Sequence, residues 1–180
     1  DSRGQSAAWE IVFRPSDLVG NEVLFETGGF GIGTSINIAQ ASGGYQLQFV
    51  TQTQGDNRFE LRSDVLTELN AFTHVLAVWN KAENQLQMFV NGIPIGEPVD
   101  STGLTLWDSG DGAGIGRING NHGAGFLLTD YGNFIGDIAA VRFYDSIDEA
   151  LLSPFRVEFA APVRGQTHET STHPDRDRID

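Results

Sequence analysis

The sequence contains no cysteine, only six prolines and few basic residues among its 180 positions. Without cysteine, disulfide frameworks and cysteine-ligated metal or redox sites are excluded. No stretch approaches the roughly 20 apolar residues that a membrane-spanning helix needs. Eleven Lys and Arg against 24 Asp and Glu give a formal net charge of -13. Nucleic acid binding needs clustered positive charge, so this composition argues against a nucleic acid partner and against anionic membranes.

Glycine is abundant, with 22 residues, and hydrophobic residues make up 39% of the chain. Short alternating segments recur along the first third of the sequence, separated by Gly, Asn, Asp or Pro turns. They lie at residues 8–14, 23–25, 35–39, 45–50 and 58–62. Strands at spacings of about 8–12 residues with turn signals between them predict a β-sandwich or β-barrel.

The clearest local pattern is a hairpin in the middle of the chain. Residues 72–80 and 86–90 alternate, and Asn91-Gly92 separates the second of these segments from residues 93–96. Asn and Gly both tolerate positive φ, so Asn-Gly between apolar segments is a strong signal for a two-residue β-turn.

The C-terminal third begins with a long apolar segment, residues 134–144. Its near-continuous hydrophobicity predicts a central strand covered on both faces. Ser146 and Glu149 then match a capping box, which predicts a short helix to about Ser153, ended by Pro154. From residue 164 onward the sequence has no core-forming pattern, and we expect a polar tail or linker.

Two segments resemble the laminin-G-like, concanavalin-A-like lectin/glucanase superfamily. One is His74-Val75 followed by the stretch from Leu86 to Asn91-Gly92. The other is Gly136-Asp-Ile-Ala-Ala-Val-Arg-Phe-Tyr-Asp145, in which Ala140 replaces a frequent Glu. The resemblance implies an all-β, two-sheet antiparallel jelly-roll sandwich with one short C-terminal helix. The domain would span residues 1–163, and residues 164–180 would form the tail.

Catalysis is not expected, because glycoside hydrolysis needs two carboxylates held across the scissile bond. Relatives that hydrolyse glucans place them on one strand as Glu-x-Asp-x-x-Glu, a pattern that this sequence lacks. None of the four histidines lies in a nucleophile motif. A glycoside hydrolase or lyase is therefore the least favoured of the functions considered.

The loop-rich stretch of residues 97–133 contains the predicted ligand-binding residues. Aromatic rings can stack on sugars, and amides can bind their hydroxyls. The predicted set is Trp107, Asn119, Asn121, His122 and Tyr131. Trp107 has an alternative role as a core residue at one end of the sandwich, whereas Trp9 and Trp79 are predicted to be core.

A second candidate surface would form if the strands at residues 45–54 and 58–62 are neighbours. Each places polar side chains on one face: Gln46, Gln48, Gln52 and Gln54 on the first, and Arg58, Glu60 and Arg62 on the second. Such a face would either bind a ligand or simply be solvated, as one face of an antiparallel sheet often is.

Calcium is the one cofactor that the sequence suggests, since Ca²⁺ prefers carboxylate and amide oxygens. The candidate ligands are Asp108, Asp111, Asp130 and Asp137, although ordinary Asp/Gly turns are the favoured explanation of the first three. A transition-metal site at His168 and His173 is much less favoured.

The expected function is that of a secreted, extracellular or cell-surface recognition module. Its partner would be a glycan or an extracellular protein, with calcium as a possible aid, and the module would belong to a larger chain or complex. The alternative is a structural or assembly domain that docks through its C-terminal tail.

Overall fold

The computed structural model describes residues 2–29, 31–53, 57–63, 68–119 and 131–148, which form two packed β-sheets. A 3₁₀ turn at Ser2–Gly4 precedes the first strand. The strands are β1 (Ala7–Pro15), β2 (Asn21–Gly29), β3 (Ile32–Ala41), β4 (Gly44–Thr53), β5 (Asn57–Arg62), β6 (Thr73–Asn80), β7 (Gln85–Val90), β8 (Ile93–Asp100), β9 (Gly114–Ile115), β10 (Tyr131–Asn133) and β11 (Gly136–Tyr144).

Sheet A has the strand order β11-β1-β6-β7-β8, and sheet B has the order β10-β2-β3-β4-β5, with β9 also pairing to β2. All pairs are antiparallel except the short pair of β10 with β2, which is parallel. The predicted all-β sandwich of two largely antiparallel sheets is therefore confirmed.

The core lies between the sheets and follows from the two-residue period of each strand. Trp9, Ile11 and Phe13 of β1 point inward and are at most 3% exposed. Sheet B meets them with inward rows such as Ile36, Phe49 and Leu61, which are paired across β3, β4 and β5. Trp9 and Trp79 are both buried core residues, as predicted.

The Asn-Gly turn is also confirmed. Asn91 and Gly92 have φ values of 50° and 77°, and they join β7 to β8 in a tight antiparallel hairpin. Positive φ at both central positions matches the right-handed twist of the flanking strands, which explains why this dipeptide was so informative.

The predicted central position of residues 134–144 is wrong. Within the described part of the chain, β11 pairs only with β1 and lies at an edge of sheet A. Its apolar residues divide between two faces: Ile138 and Val141 pack on the core, whereas Tyr144 packs on a smaller cluster outside sheet A. Small residues such as Ala139 extend the apolar run without adding much buried surface, so hydrophobicity alone overstated its burial.

The predicted C-terminal helix is not established. Ile147 and Asp148 are helical, but residues 149–153 lie outside the described residues, as do the predicted tail at 164–180 and the histidines at 168 and 173. In the described ranges, no helix is long and apolar enough to cross a membrane.

Candidate functional site

The face of sheet B that points away from the core is polar. Residues directly opposite each other on paired strands share a face, so the register defines rows of side chains on this surface. One row runs from Asn37 through Gln48 to Arg62, and a second from Glu26 through Ser35 and the apolar Val50 to Glu60. We call this surface the polar face; its members are Glu26, Ser35, Asn37, Gln46, Gln48, Gln52, Arg58, Glu60 and Arg62.

β4 and β5 are neighbouring strands, which is what the second candidate surface requires. Gln48 is opposite Arg62, and Gln52 is opposite Arg58. The two polar sets predicted from alternation therefore form one surface. Gln54, the last member of the first set, lies outside the described residues.

Gln48 is the centre of a hydrogen-bond network on the polar face. Its Oε1 accepts from the Tyr131 hydroxyl at 2.8 Å and from Asn37 Nδ2 at 3.2 Å. Its Nε2 donates to Glu60 Oε1 at 2.8 Å. Gln48 is only 2% exposed. Its amide is thus fixed in one orientation, because each end has a partner of the matching kind.

Glu60 lies between two arginines on the same strand. Arg58 Nη2 donates to its Oε2 at 2.8 Å, and Arg62 Nε donates to its Oε1. Burial alone would raise the pKa of Glu60, but hydrogen bonds from Gln48 and Arg62 and the charge of Arg58 outweigh it and lower the pKa. The trio is therefore ionised at neutral pH and has one net positive charge on a strongly acidic protein.

Three buried polar atoms on the polar face have no hydrogen-bond partner among the described residues. They are Glu26 Oε2, Asn37 Oδ1 and Arg58 Nε. Glu26 and Asn37 are both fully buried. An unsatisfied buried polar atom is costly and uncommon in native proteins, so each of these atoms calls for a partner beyond the described residues.

Glu26 has an unusual titration. Burial raises its pKa to about 7, and the nearby charges of Asp111 and Asp108 add to the shift, although backbone hydrogen bonds from Asn119 and Gly114 oppose it. The Asn119 backbone nitrogen donates to Glu26 Oε1 at 2.7 Å. Near neutral pH, Glu26 thus exists partly as a neutral carboxylic acid that can donate a hydrogen bond.

A family model described as the Concanavalin A-like lectin/glucanases superfamily matches residues 3–149. The chain belongs to this superfamily. No curated protein matches it by sequence. The predicted family is therefore confirmed, and the match spans every described strand of both sheets.

Solved structures of the same fold include several lectin-like domains. A candidate carbohydrate-binding protein from Bacteroides ovatus has a TM-score of 0.60 and 21% identity, over 79% of this chain and 38% of that one. The CBM40 of the Ruminococcus gnavus IT-sialidase, bound to α2,3-sialyllactose, has a TM-score of 0.61 and 16% identity, over 83% of each chain. NanB sialidase from Streptococcus pneumoniae, as its K499G mutant, has a TM-score of 0.63 and 17% identity, over 84% of this chain and 24% of the sialidase.

These likenesses show that the superfamily member has the fold of carbohydrate-binding modules. It spans less than two fifths of the Bacteroides chain and about a quarter of the sialidase chain, so it corresponds to one part of each.

The carboxylates of the polar face are poorly placed for hydrolysis. Glu26 and Glu60 lie in one row but on β2 and β5, so three strand spacings of about 4.8 Å separate their backbones by roughly 14 Å. Glycosidase carboxyl groups lie about 5–9.5 Å apart. Both oxygens of Glu60 are also occupied by donors.

The structure brings only some of the predicted ligand-binding residues together. Tyr131 and Asn119 both contact the polar face, through Gln48 and Glu26 respectively. Trp107 lies on the opposite, interior side of sheet B, where its ring packs on Trp9 and Phe143 at centroid distances of 5.7 and 4.9 Å. This is the core role that the sequence left open. Asn121 and His122 lie outside the described residues.

Of the predicted metal ligands, Asp108 and Asp111 lie close enough to Glu26 to influence its pKa, whereas Asp137 lies on β11 in sheet A. Asp108 accepts hydrogen bonds from Thr27 Oγ1 and the Gly110 backbone, both at 2.9 Å. Asp111 accepts from the Gly112 backbone, and Asp137 pairs with Arg14 at 2.6 Å. In the part of the chain that the structure describes, no three acidic or histidine side chains converge on a metal position. Asp130 is not among the described residues. Calcium binding by these residues stays a prediction.

Sequence reasoning missed a buried ionic network on the outer face of sheet A. Glu10 Oε1 lies 2.8 Å from His74 Nε2, and Glu10 Oε2 accepts from Arg142 at 3.1 Å and from the Tyr144 hydroxyl at 2.5 Å. Alternation along β1 and β6 places Glu10 and His74 on the outer face of sheet A. This placement is the only indication of the network that the sequence offered. Because several donors satisfy Glu10, we assign the network a structural role in joining β1, β6 and β11.

Proposed function

We propose that this chain is a non-catalytic glycan-recognition module and that the polar face of sheet B is its binding surface. The observation on which this depends is a set of buried polar atoms on that face that have no partner among the described residues, namely Glu26 Oε2, Asn37 Oδ1 and Arg58 Nε. The lectin-like fold supports the proposal, because structures of the same fold include carbohydrate-binding modules.

The chemistry of the polar face suits a sugar. Amides, carboxylates and guanidinium groups pair with the alternating donors and acceptors of neighbouring hydroxyls. Gln48, Glu60 and Arg62 are held in place by one another before any ligand arrives. Such preorganisation lowers the entropic cost of binding. The net positive charge of the arginine–glutamate trio also makes acidic glycans reasonable ligands.

The module would act outside the cell as part of a larger protein. Glycan ligands are concentrated at cell surfaces and in extracellular matrices, and the superfamily fold occurs within longer chains. An extracellular protein partner is the alternative ligand class. Assistance by calcium at Asp108, Asp111, Asp130 or Asp137 stays a prediction, which the same binding assay with and without a chelator tests.

The test is a glycan array probed with the wild-type chain and with two arginine variants. Arg62→Ala removes a donor from the polar face. Arg14→Ala is the matched control, because Arg14 is similarly exposed (42% against 45%) and is also paired with a carboxylate, but on sheet A. We expect Arg62→Ala to weaken binding at least tenfold and Arg14→Ala to leave it unchanged.

Two outcomes would contradict the proposal. One is a wild-type chain that binds no glycan on an array containing both neutral and acidic sugars. The other is binding that Arg14→Ala and Arg62→Ala reduce equally, since the ligand would then lie elsewhere. Hydrolysis products released from any bound glycan would show that the chain is an enzyme after all.

A further inference from the structure

The outer face of sheet A, which points away from the core, has an apolar cluster of its own. Alternation places Ala8 of β1 and Leu76 and Val78 of β6 on this face, and Ala8 lies directly opposite Val78. The three side chains are 0%, 0% and 6% exposed. They form a cluster that is separate from the core between the sheets. The outer faces of the two sheets therefore differ, because sheet B is polar where sheet A is apolar.

Such complete burial requires a layer above the sheet. Side chains of neighbouring strands stand side by side, roughly perpendicular to the sheet, and leave their outer ends open. Among the described residues, Phe89, Tyr144 and Ile147 pack on the cluster. Phe89 and Tyr144 belong to the same sheet, where they lie opposite Leu76 and Ala8 respectively. Within the described ranges, Ile147 is thus the only one of the three that comes from outside the strands.

The segment that follows Ile147 has the composition of such a layer. β11 ends at Tyr144, and three residues later Ile147 already lies on the cluster. The next segment, residues 149–163, contains five large apolar residues: Leu151, Leu152, Phe155, Val157 and Phe159. The predicted tail at residues 164–180 contains only one, Ile179. An apolar segment that begins beside an apolar face of its own chain can reach it with little loss of loop entropy.

We propose that residues 149–163 dock on the outer face of sheet A and form the layer that buries Ala8, Leu76 and Val78. The burial of these side chains arises within a single chain, so no second copy is needed to explain it. The segment is also held next to the face by its connection to Ile147, whereas another molecule must reach it by diffusion. The docked segment is distinct from the predicted tail and from the polar face of sheet B.

The experiment measures thiol labelling at two valines of β6 in the full chain, which has no natural cysteine. Val78→Cys reports on the outer face. Val75→Cys is the matched control, because Val75 is 0% exposed and packs in the core between the sheets. A buried thiol reacts slowly, so labelling measures cover. Each variant is made with the native segment and with Phe155→Asp and Phe159→Asp.

We expect the two aspartates to accelerate labelling of Val78→Cys at least tenfold, because a carboxylate cannot be buried on an apolar cluster without a large penalty. Labelling of Val75→Cys should not change. Val19→Cys gives the rate of an open site, since Val19 is 75% exposed.

Three outcomes would overturn the proposal. Labelling of Val78→Cys at the rate of Val19→Cys, in the chain with the native segment, would mean that nothing covers the face. Protection that survives both aspartates would assign the cover to other residues. Protection that is lost when the protein is diluted would assign it to a second copy.

A second measurement needs no disruptive substitution, and so it decides the matter even if the aspartate variants fail to fold. The photoreactive residue p-benzoyl-phenylalanine takes the place of Phe89, which packs on the cluster, or of Phe59, which packs on the core. After irradiation of the full chain, mass spectrometry should find cross-links to residues 149–163 from position 89 and none from position 59.

Cross-links from position 89 that join two chains, or that reach only residues outside 149–163, would contradict the proposal. Neither measurement involves the polar face of sheet B. The docking of this segment and the proposed glycan binding can therefore fail independently.

Discussion

Glu26 is an ionisable side chain at a position where burial disfavours its charged form. It is fully buried on the polar face, and burial raises its pKa to about 7. A carboxyl group whose folded-state pKa lies above its unfolded value stabilises the fold below the unfolded pKa. That contribution is lost as the pH rises from about 4.5 through about 7. Strongly raised pKa values of buried carboxyl groups occur more often at functional sites, which makes Glu26 a residue to test.

We therefore predict that Glu26→Gln stabilises the protein at alkaline pH. The amide keeps an acceptor for the Asn119 backbone nitrogen but cannot ionise. The free energy of unfolding should rise by about 1–3 kcal/mol at pH 8 and change little at pH 5. Urea denaturation at the two pH values measures this difference.

Glu83→Gln is the control for that prediction, because Glu83 lies in the exposed turn between β6 and β7. Its stability should differ from the wild type by less than about 0.5 kcal/mol at both pH values. An equal gain in both variants would indicate relief of the overall negative charge instead of a specific effect at Glu26.

Among the elements, the β7–β8 hairpin shows how a local sequence signal defines a structure. Asn91 and Gly92 satisfy the positive φ that the turn needs, and the flanking residues pair in register. The β11 strand shows the opposite case. Its apolar sequence is compatible with a central strand or with an edge strand packed on both sheet faces, and only the pairing with β1 decides between them.

We predict that Gly92→Ala lowers the free energy of unfolding by about 1 kcal/mol, since an L-residue is strained at a φ of 77°. Gly132→Ala is the matched control. An added Cβ there would meet nothing closer than the Asn21 carbonyl at 3.7 Å, an ordinary contact. Chemical denaturation of both variants should show a loss only for Gly92→Ala, and equal losses would mean that backbone strain is not the cause.

At the scale of the whole molecule, the recognition function and the assembly function depend on different parts of the chain. The proposed ligand face belongs entirely to sheet B, whereas the assembly alternative depends on residues 164–180. Both sheets are complete before residue 149 in the described structure. The two functions can therefore be separated by shortening the chain.

We predict that a chain ending at residue 163 keeps its Tm, its glycan profile and its elution volume in size-exclusion chromatography. No described strand or polar-face residue is removed by this truncation. A change in elution volume without loss of the folded state would support docking through the tail and would count against the recognition module.

The sequence by itself determined the all-β class and most strand positions, because strand alternation and turn residues act locally and are visible in the order of the side chains. The family followed from the two segments that resemble it. It also placed Gln48, Arg58, Glu60 and Arg62 on common strand faces. Only the tertiary structure decided that these faces adjoin and that Trp107 lies on the interior side of sheet B. Those contacts depend on which strands pair and how the loops pack, and neither property has a period that a single sequence displays.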